Sequence, residues 1–150
     1  ECYKGFKNIH LEQVAVRHDH IKEEKFFTSE LHTGIGSFNR KHLITHRIPS
    51  EKIKTRTVNC ININDLFDKY KLYHLDHFFI DTEGFDANIL LELNLSKYQI
   101  DHIVFEYVHL DGSQMAGGPK TMKLLNYLKS HGYTISNSES KFNMEARLNA

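Results

Sequence analysis

The sequence predicts an α/β fold with a mostly parallel sheet flanked by helices. Two short apolar runs, residues 77–80 and 103–105, each stop at a carboxylate, Asp81 and Glu106. Runs of that length bounded by turn residues suit strands buried on both faces. Each run is followed by a segment of helical length. Strands that alternate with helices in this way build a parallel sheet.

Residues 9–16 carry Ile9, Leu11, Val14, Ala15 and Val16 and predict a first strand. A weaker strand is expected over 22–29, around Phe26 and Phe27. Residues 33–49 predict a loop, opened by Gly34, Ile35, Gly36 and Ser37 and closed by Pro49. Residues 53–63 are rich in β-branched side chains and predict a long strand. With 22–29 they form an expected antiparallel elaboration of the sheet. Asn64 is a good N-cap for a helix running to about residue 70. After the run at 77–80 comes a turn, Asp81-Thr82-Glu83-Gly84. A helix with a broad apolar face follows over 86–95 (Ala87, Ile89, Leu90, Leu91, Leu93). Residues 103–105 are expected to lie beside 77–80, parallel, central and buried. The spacing of Met122, Leu124, Leu125 and Leu128 predicts a helix over 120–130, ended by Gly132. A strand over 133–135 is expected to pair with 142–148.

The chain has 150 residues, which fits a single domain over 1–150, with 19 basic and 19 acidic side chains. Zero net charge argues against gripping a phosphate backbone, so no nucleic-acid partner is expected. Its interspersed Lys, Arg, Glu and His read as a solvated face. No apolar run approaches the roughly 18 residues that would span a bilayer, so no membrane partner is expected. No signal peptide is recognisable, and Cys2 and Cys60 form no C-x-x-C pair or zinc spacing. Together these features predict a cytoplasmic protein. Nothing in the pattern assigns an oligomeric state.

Ligands in open parallel sheets bind outside the carboxyl ends of the strands. Asp81, Glu83 and Glu106 all fall there, and Gly84 permits a sharp turn with room for a ligand. Three carboxylates at one crevice can accept hydrogen bonds from amines or hydroxyls, hold a metal, or act as a general base. A plainer role is also open to Asp81 and Asp86, as helix N-caps.

The segment His77-Phe78-Phe79-Ile80-Asp81-Thr82-Glu83-Gly84-Phe85 resembles the strand, D-x-E-G and aromatic signature of FkbM-type methyltransferases. Five other segments resemble that family in the same order: Asn8 with residues 9–16, residues 58–67, Ile89-Leu90-Leu91-Glu92-Leu93, Ile103-Val104-Phe105-Glu106, and Leu124 to Leu128 with Gly132-Tyr133. The resemblance implies a Rossmann-like methyltransferase fold and S-adenosyl-L-methionine as cofactor. It also implies methyl transfer, usually to oxygen, on a small-molecule or glycan acceptor. It places Ala15 and Val16 against the adenine, where Arg17 and His18 depart from the family's small residue and Asp. Asp81 is placed as cofactor-binding and catalytic, and Glu83 and Glu106 as catalytic. The family's Gly-rich D-x-G-A-N-x-G turn and its ribose-binding acid have no counterpart here, because both would precede Glu1. The expectation is therefore a truncated domain, the C-terminal two-thirds, whose N-terminal cofactor-binding part is missing and which alone binds cofactor poorly and is inactive.

Two other readings use the same residues. One is a glycan- or nucleotide-sugar-binding module without catalysis. The other is a metal-dependent enzyme, suggested by eleven histidines grouped as His18-Asp19-His20, His42 with His46, and His74-Leu75-Asp76-His77. None of these groups has complete ligand spacing, so no metal is expected. His109 and His131 are further candidate bases.

Overall fold

The computed structural model describes residues 5, 7–32, 34–82, 84–112 and 115–149. Among the described residues, eight strands and four α-helices follow one another as β1 (Ala15–Arg17), β2 (Glu23–Ser29), β3 (Gly36–Ser37), α1 (Arg40–Thr45), β4 (Ile53–Asn62), α2 (Ile63–Tyr70), β5 (His74–Ile80), α3 (Asp86–Glu92), β6 (Gln99–Glu106), α4 (Pro119–Ser130), β7 (Tyr133–Asn137) and β8 (Asn143–Leu148). The class is α/β, as expected, but the strands form two four-stranded sheets, ordered β1-β4-β2-β3 and β5-β6-β8-β7.

Both sheets are mixed, which corrects the expectation of a mostly parallel one. Only β1 with β4 and β5 with β6 run parallel. The cause is connection length. A helical crossover, α3, joins β5 to β6 and allows parallel strands, whereas the short link between β7 and β8 folds them back antiparallel. The elaboration expected from 22–29 and 53–63 is present. β2 lies antiparallel to β4 from Glu23 opposite Asn59 to Ser29 opposite Ile53.

The parallel pairing of the two apolar runs holds in register, with Phe78 opposite Ile103 and Ile80 opposite Phe105. Burial and central position hold for the second run, where Ile103 and Phe105 are fully buried in β6, but not for the first. No strand covers the other edge of β5 among the described residues, so β5 is an edge rather than central. Side chains alternate along a strand. Phe78 and Ile80 turn to the core, where Phe78 meets Phe67 edge-on at 5.6 Å. His77 and Phe79 turn to the opposite face, and Phe79 is 69% exposed.

One core holds the α-helical side together. Ile63 and Phe67 of α2, Ala87, Ile89 and Leu90 of α3, and Leu124 and Leu128 of α4 pack on Ile80, Ile103, Phe105, Tyr133 and Ala146. Met122, expected in the core stripe of α4, is instead 51% exposed, because Thr121, Leu124 and Leu128 face inward.

Several local details differ from the sequence pattern. α2 starts two residues early. Its N-cap is Asn62, whose Oδ1 accepts the Asn64 N–H at 2.8 Å. Asn64 ties α2 to the end of α3 instead, donating to Glu92 O and accepting from Asn94 N. The first strand is limited to Ala15–Arg17. The expected loop over 33–49 contains β3 and the six-residue α1, capped by Asn39 and anchored by buried Leu43.

Candidate functional site

The turns after β5 and β6 are built around Asp86, the first residue of α3 and fully buried. Its Oδ2 accepts from the Thr82 backbone N–H at 3.1 Å and the Thr82 hydroxyl at 2.5 Å. Its Oδ1 accepts from the Glu106 backbone N–H at 3.2 Å. One carboxylate thus fixes both strand ends beside each other. Asp86 is not a conventional N-cap, and neither is Asp81, which is exposed and makes no hydrogen bond to another described residue. The capping reading of Asp81 is therefore not supported.

Gly84 closes the turn at φ +91°, and a Cβ there would lie 2.7 Å from the His109 carbonyl oxygen. A side chain would be strained twice over, by the backbone and by the contact. This close approach seats the loop after β6 against the turn after β5. At the other end of that loop, Asp111 accepts from the N–H groups of Gly118, Lys120 and Thr121 and from the Thr121 hydroxyl. It satisfies free donors at the start of α4, although seven residues lie between it and the helix in sequence. Burial opposes its charge, but the hydrogen bonds from Thr121, Lys120 and Gly118 outweigh it and hold its carboxyl below the ordinary range.

Between these turns and the first sheet lies a cavity of about 1250 Å³. Ala15, Val16 and Asp81 all line it, so three of the predicted site residues meet in one place. Glu106 lies just behind the wall, with its side chain 11% exposed, and Oε1 pairs with Nδ1 of His109 at 2.8 Å. His109 itself lines the cavity. Glu83 lies outside the described residues.

The wall next to Ala15 and Val16 was not legible in the sequence. Arg17 is 6% exposed and runs beneath two rings, its guanidinium carbon 5.0 Å from the centre of Phe38 and 5.6 Å from that of Phe85. It forks onto both oxygens of Asp19 at 2.7 Å and also pairs with Glu24. The Arg17 guanidinium holds the Asp19 carboxyl down at about 2. His18 meets Phe85 edge-on at 5.1 Å. Arg17 is thus a wall brace already engaged by two carboxylates. Residues 34–36 do line the cavity, but they connect antiparallel strands and do not form a strand-to-helix turn.

The histidine groups are scattered. The His42 and His46 rings lie tilted with centres 4.5 Å apart, His20 reaches Asp65 at 3.3 Å, and His77 meets His102 at 3.2 Å. Among the described residues, one set has metal-ligand proximity: His74, Asp76 and Asp101, with ligand atoms within 4.8 Å of one another. It lies at the amino ends of β5 and β6, away from the cavity. Its third member, Asp101, comes from a different strand, which sequence spacing could not reveal.

An α/β protein with a ligand-sized cavity between the turns after β5 and β6 and its first sheet, lined by Ala15 and Val16, by the rings of Phe26, Phe38 and Phe85 and by the exposed carboxylate of Asp81, is the class this geometry defines. The family model of the methyltransferase FkbM domain matches residues 2–135. The chain belongs to that family. No curated protein and no solved structure matches it.

Proposed function

We propose that the protein is an S-adenosyl-L-methionine-dependent methyltransferase acting on oxygen of a small molecule or glycan, with cofactor and acceptor sharing the inter-sheet cavity. The observation that carries this reading is that Ala15 and Val16, the first two residues of β1, and Asp81, which directly follows β5, line the same cavity although 64 residues lie between Val16 and Asp81. Family membership supports methyl transfer as the reaction class. The cavity exceeds the roughly 300–1,000 Å³ of a typical single-ligand site, which leaves room for a second molecule.

The chemistry of the lining fits the cofactor. Ala15 and Val16 offer small apolar contacts for a base, and Phe38 and Phe85 offer ring faces. Asp81 offers an acceptor for an ammonium or hydroxyl group. S-Adenosyl-L-methionine, when bound, supplies an electrophilic methyl group. The residues of this chain have to hold it, exclude water and handle the acceptor proton.

Calorimetry with S-adenosylhomocysteine on the native full-length protein tests the reading. Wild type should bind one equivalent, and Val16→Trp, which enlarges a side chain that lines the cavity and also packs on the core, should weaken binding by at least about tenfold. No binding by the wild type, or equal binding by the variant, would place the cofactor elsewhere.

A further inference from the structure

We propose that a second pocket, between the start of α2 and the end of α3, binds a neutral, hydroxyl-rich ligand, one pyranose unit of a sugar. No residue that lines it also lines the inter-sheet cavity, so the site is separate and does not rest on the methyltransferase reading. Its volume is about 470 Å³, within the usual range for one small ligand.

Asn62 is the first observation. It lines this pocket, is 1% exposed, ends β4 and caps α2. Its Oδ1 accepts the Asn64 N–H, but its Nδ2 is buried without a hydrogen-bond partner. An unpaired buried donor is costly, and native structures keep few of them. An acceptor oxygen held in the pocket supplies the missing bond. The walls around it are already braced. Asn64 donates to Glu92 O and accepts from Asn94 N, which ties α2 to the end of α3. Asp68 takes Lys97 Nζ at 2.5 and 2.8 Å and the Tyr98 hydroxyl at 2.9 Å. Such bracing gives a binding site a defined shape before any ligand arrives.

The groups left open define the ligand. The Glu92 carboxylate lines the pocket, is exposed and makes no hydrogen bond to a described residue. Asn94 spends only Oδ1, on the N–H groups of Ser96 and Lys97, so its amide hydrogens remain available. An acceptor-only carboxylate and donor-only nitrogens therefore share one small rim. A hydroxyl both donates and accepts, so neighbouring hydroxyls on one ring satisfy both kinds together. Charge argues against an ionic ligand. Asp68 and Lys97 offset each other, and Glu92 leaves the pocket negative, which disfavours a phosphate or carboxylate. The Lys97 ammonium opposes a cation. His20, also at the rim, reaches Asp65. Tyr127 is half-buried, its hydroxyl bonded to Leu93 O, and it adds an apolar ring for the C–H surface of a sugar.

The test uses the native full-length protein with ¹⁵N-labelled asparagine side chains. The probes are the methyl pyranosides of glucose, galactose, mannose and N-acetylglucosamine, with inorganic phosphate beside them. At least one sugar should shift the Asn62 and Asn94 side-chain amide signals saturably, with a Kd of about 10 mM or tighter. Glu92→Ala removes the open acceptor. Asn94→Asp keeps the Oδ1 that closes its own turn and removes the donor. Each variant should weaken sugar binding by at least about threefold, on the order of one hydrogen bond. Saturating S-adenosylhomocysteine should leave it unchanged. If no sugar shifts these signals, if both variants bind like wild type, if S-adenosylhomocysteine displaces the sugar, or if phosphate shifts the signals in place of the sugars, the assignment is overturned.

Discussion

The Asp86 carboxylate receives the backbone N–H of Glu106 on Oδ1, at 3.2 Å, while Oδ2 holds Thr82. The turn after β5 and the end of β6 are therefore one unit, locked by a fully buried side chain.

Asp86→Ala should destabilise the protein by about 3 kcal/mol, since it strands one buried and two part-buried donors at once and removes an acceptor. Asp86→Asn, which can serve some of those donors but not all, should cost about 1–2 kcal/mol. Urea denaturation of both variants checks the order. Equal stability for Asp86→Ala and wild type would show that Thr82 and Glu106 find other partners.

Asp81→Asn makes the opposite forecast. Asp81 is exposed, forms no hydrogen bond with a described residue and lines the cavity. Stability should stay within about 0.5 kcal/mol of wild type, as for surface changes generally. Binding of S-adenosylhomocysteine or methyl transfer should fall by at least about tenfold if the carboxylate holds a ligand. A variant that binds and turns over like wild type would remove Asp81 from the site.

Gly84→Ala should cost about 1–3 kcal/mol, because it combines φ +91° with a contact of 2.7 Å to the His109 carbonyl. Gly34→Ala is the control. Its backbone is not left-handed and a Cβ meets nothing within 4 Å. Thermal melts should separate the two variants clearly, and equal melting points would mean that the loop after β6 does not press on the turn.

Asp111 predicts a pH dependence. Its carboxyl lies below the ordinary range in the folded protein, with desolvation outweighed by hydrogen bonds from Thr121, Lys120 and Gly118. A depressed carboxyl stabilises fully above its unfolded pKa of about 4, and that stability is lost as pH falls through the lower folded value. The stability gap between wild type and Asp111→Ala should therefore be constant near neutrality and shrink on acidification. A gap that widened in acid would contradict the sign of the shift.

Metal analysis gives a further expected outcome. Dialysed protein should hold less than one transition-metal ion per chain, since the cavity carries no complete ligand set among the described residues. Stoichiometric zinc or iron would point to His74, Asp76 and Asp101, the set with suitable proximity.

Sequence pattern was enough for the order of strands and helices apart from β3 and α1, for the parallel partnership of 77–80 with 103–105, and for the acids at their ends. Those features are local or periodic. Apolar runs, helical spacing and turn residues act over a few positions and leave a visible pattern. Six segments in order also determined the family, which the match over residues 2–135 confirms. The tertiary structure alone decided the rest. It split the strands into two mixed sheets and left β5 as an edge with Phe79 exposed, because burial depends on what covers a strand and not on its composition. It turned Asp86 from a possible cap into a link between two strand ends, and Arg17 into a brace under Phe38 and Phe85. It also joined Glu106 to His109 and placed only His109 on the cavity. Each of those outcomes depends on distances between side chains brought together by folding, and a carboxylate has the same sequence signature whether it faces a ligand or a neighbour.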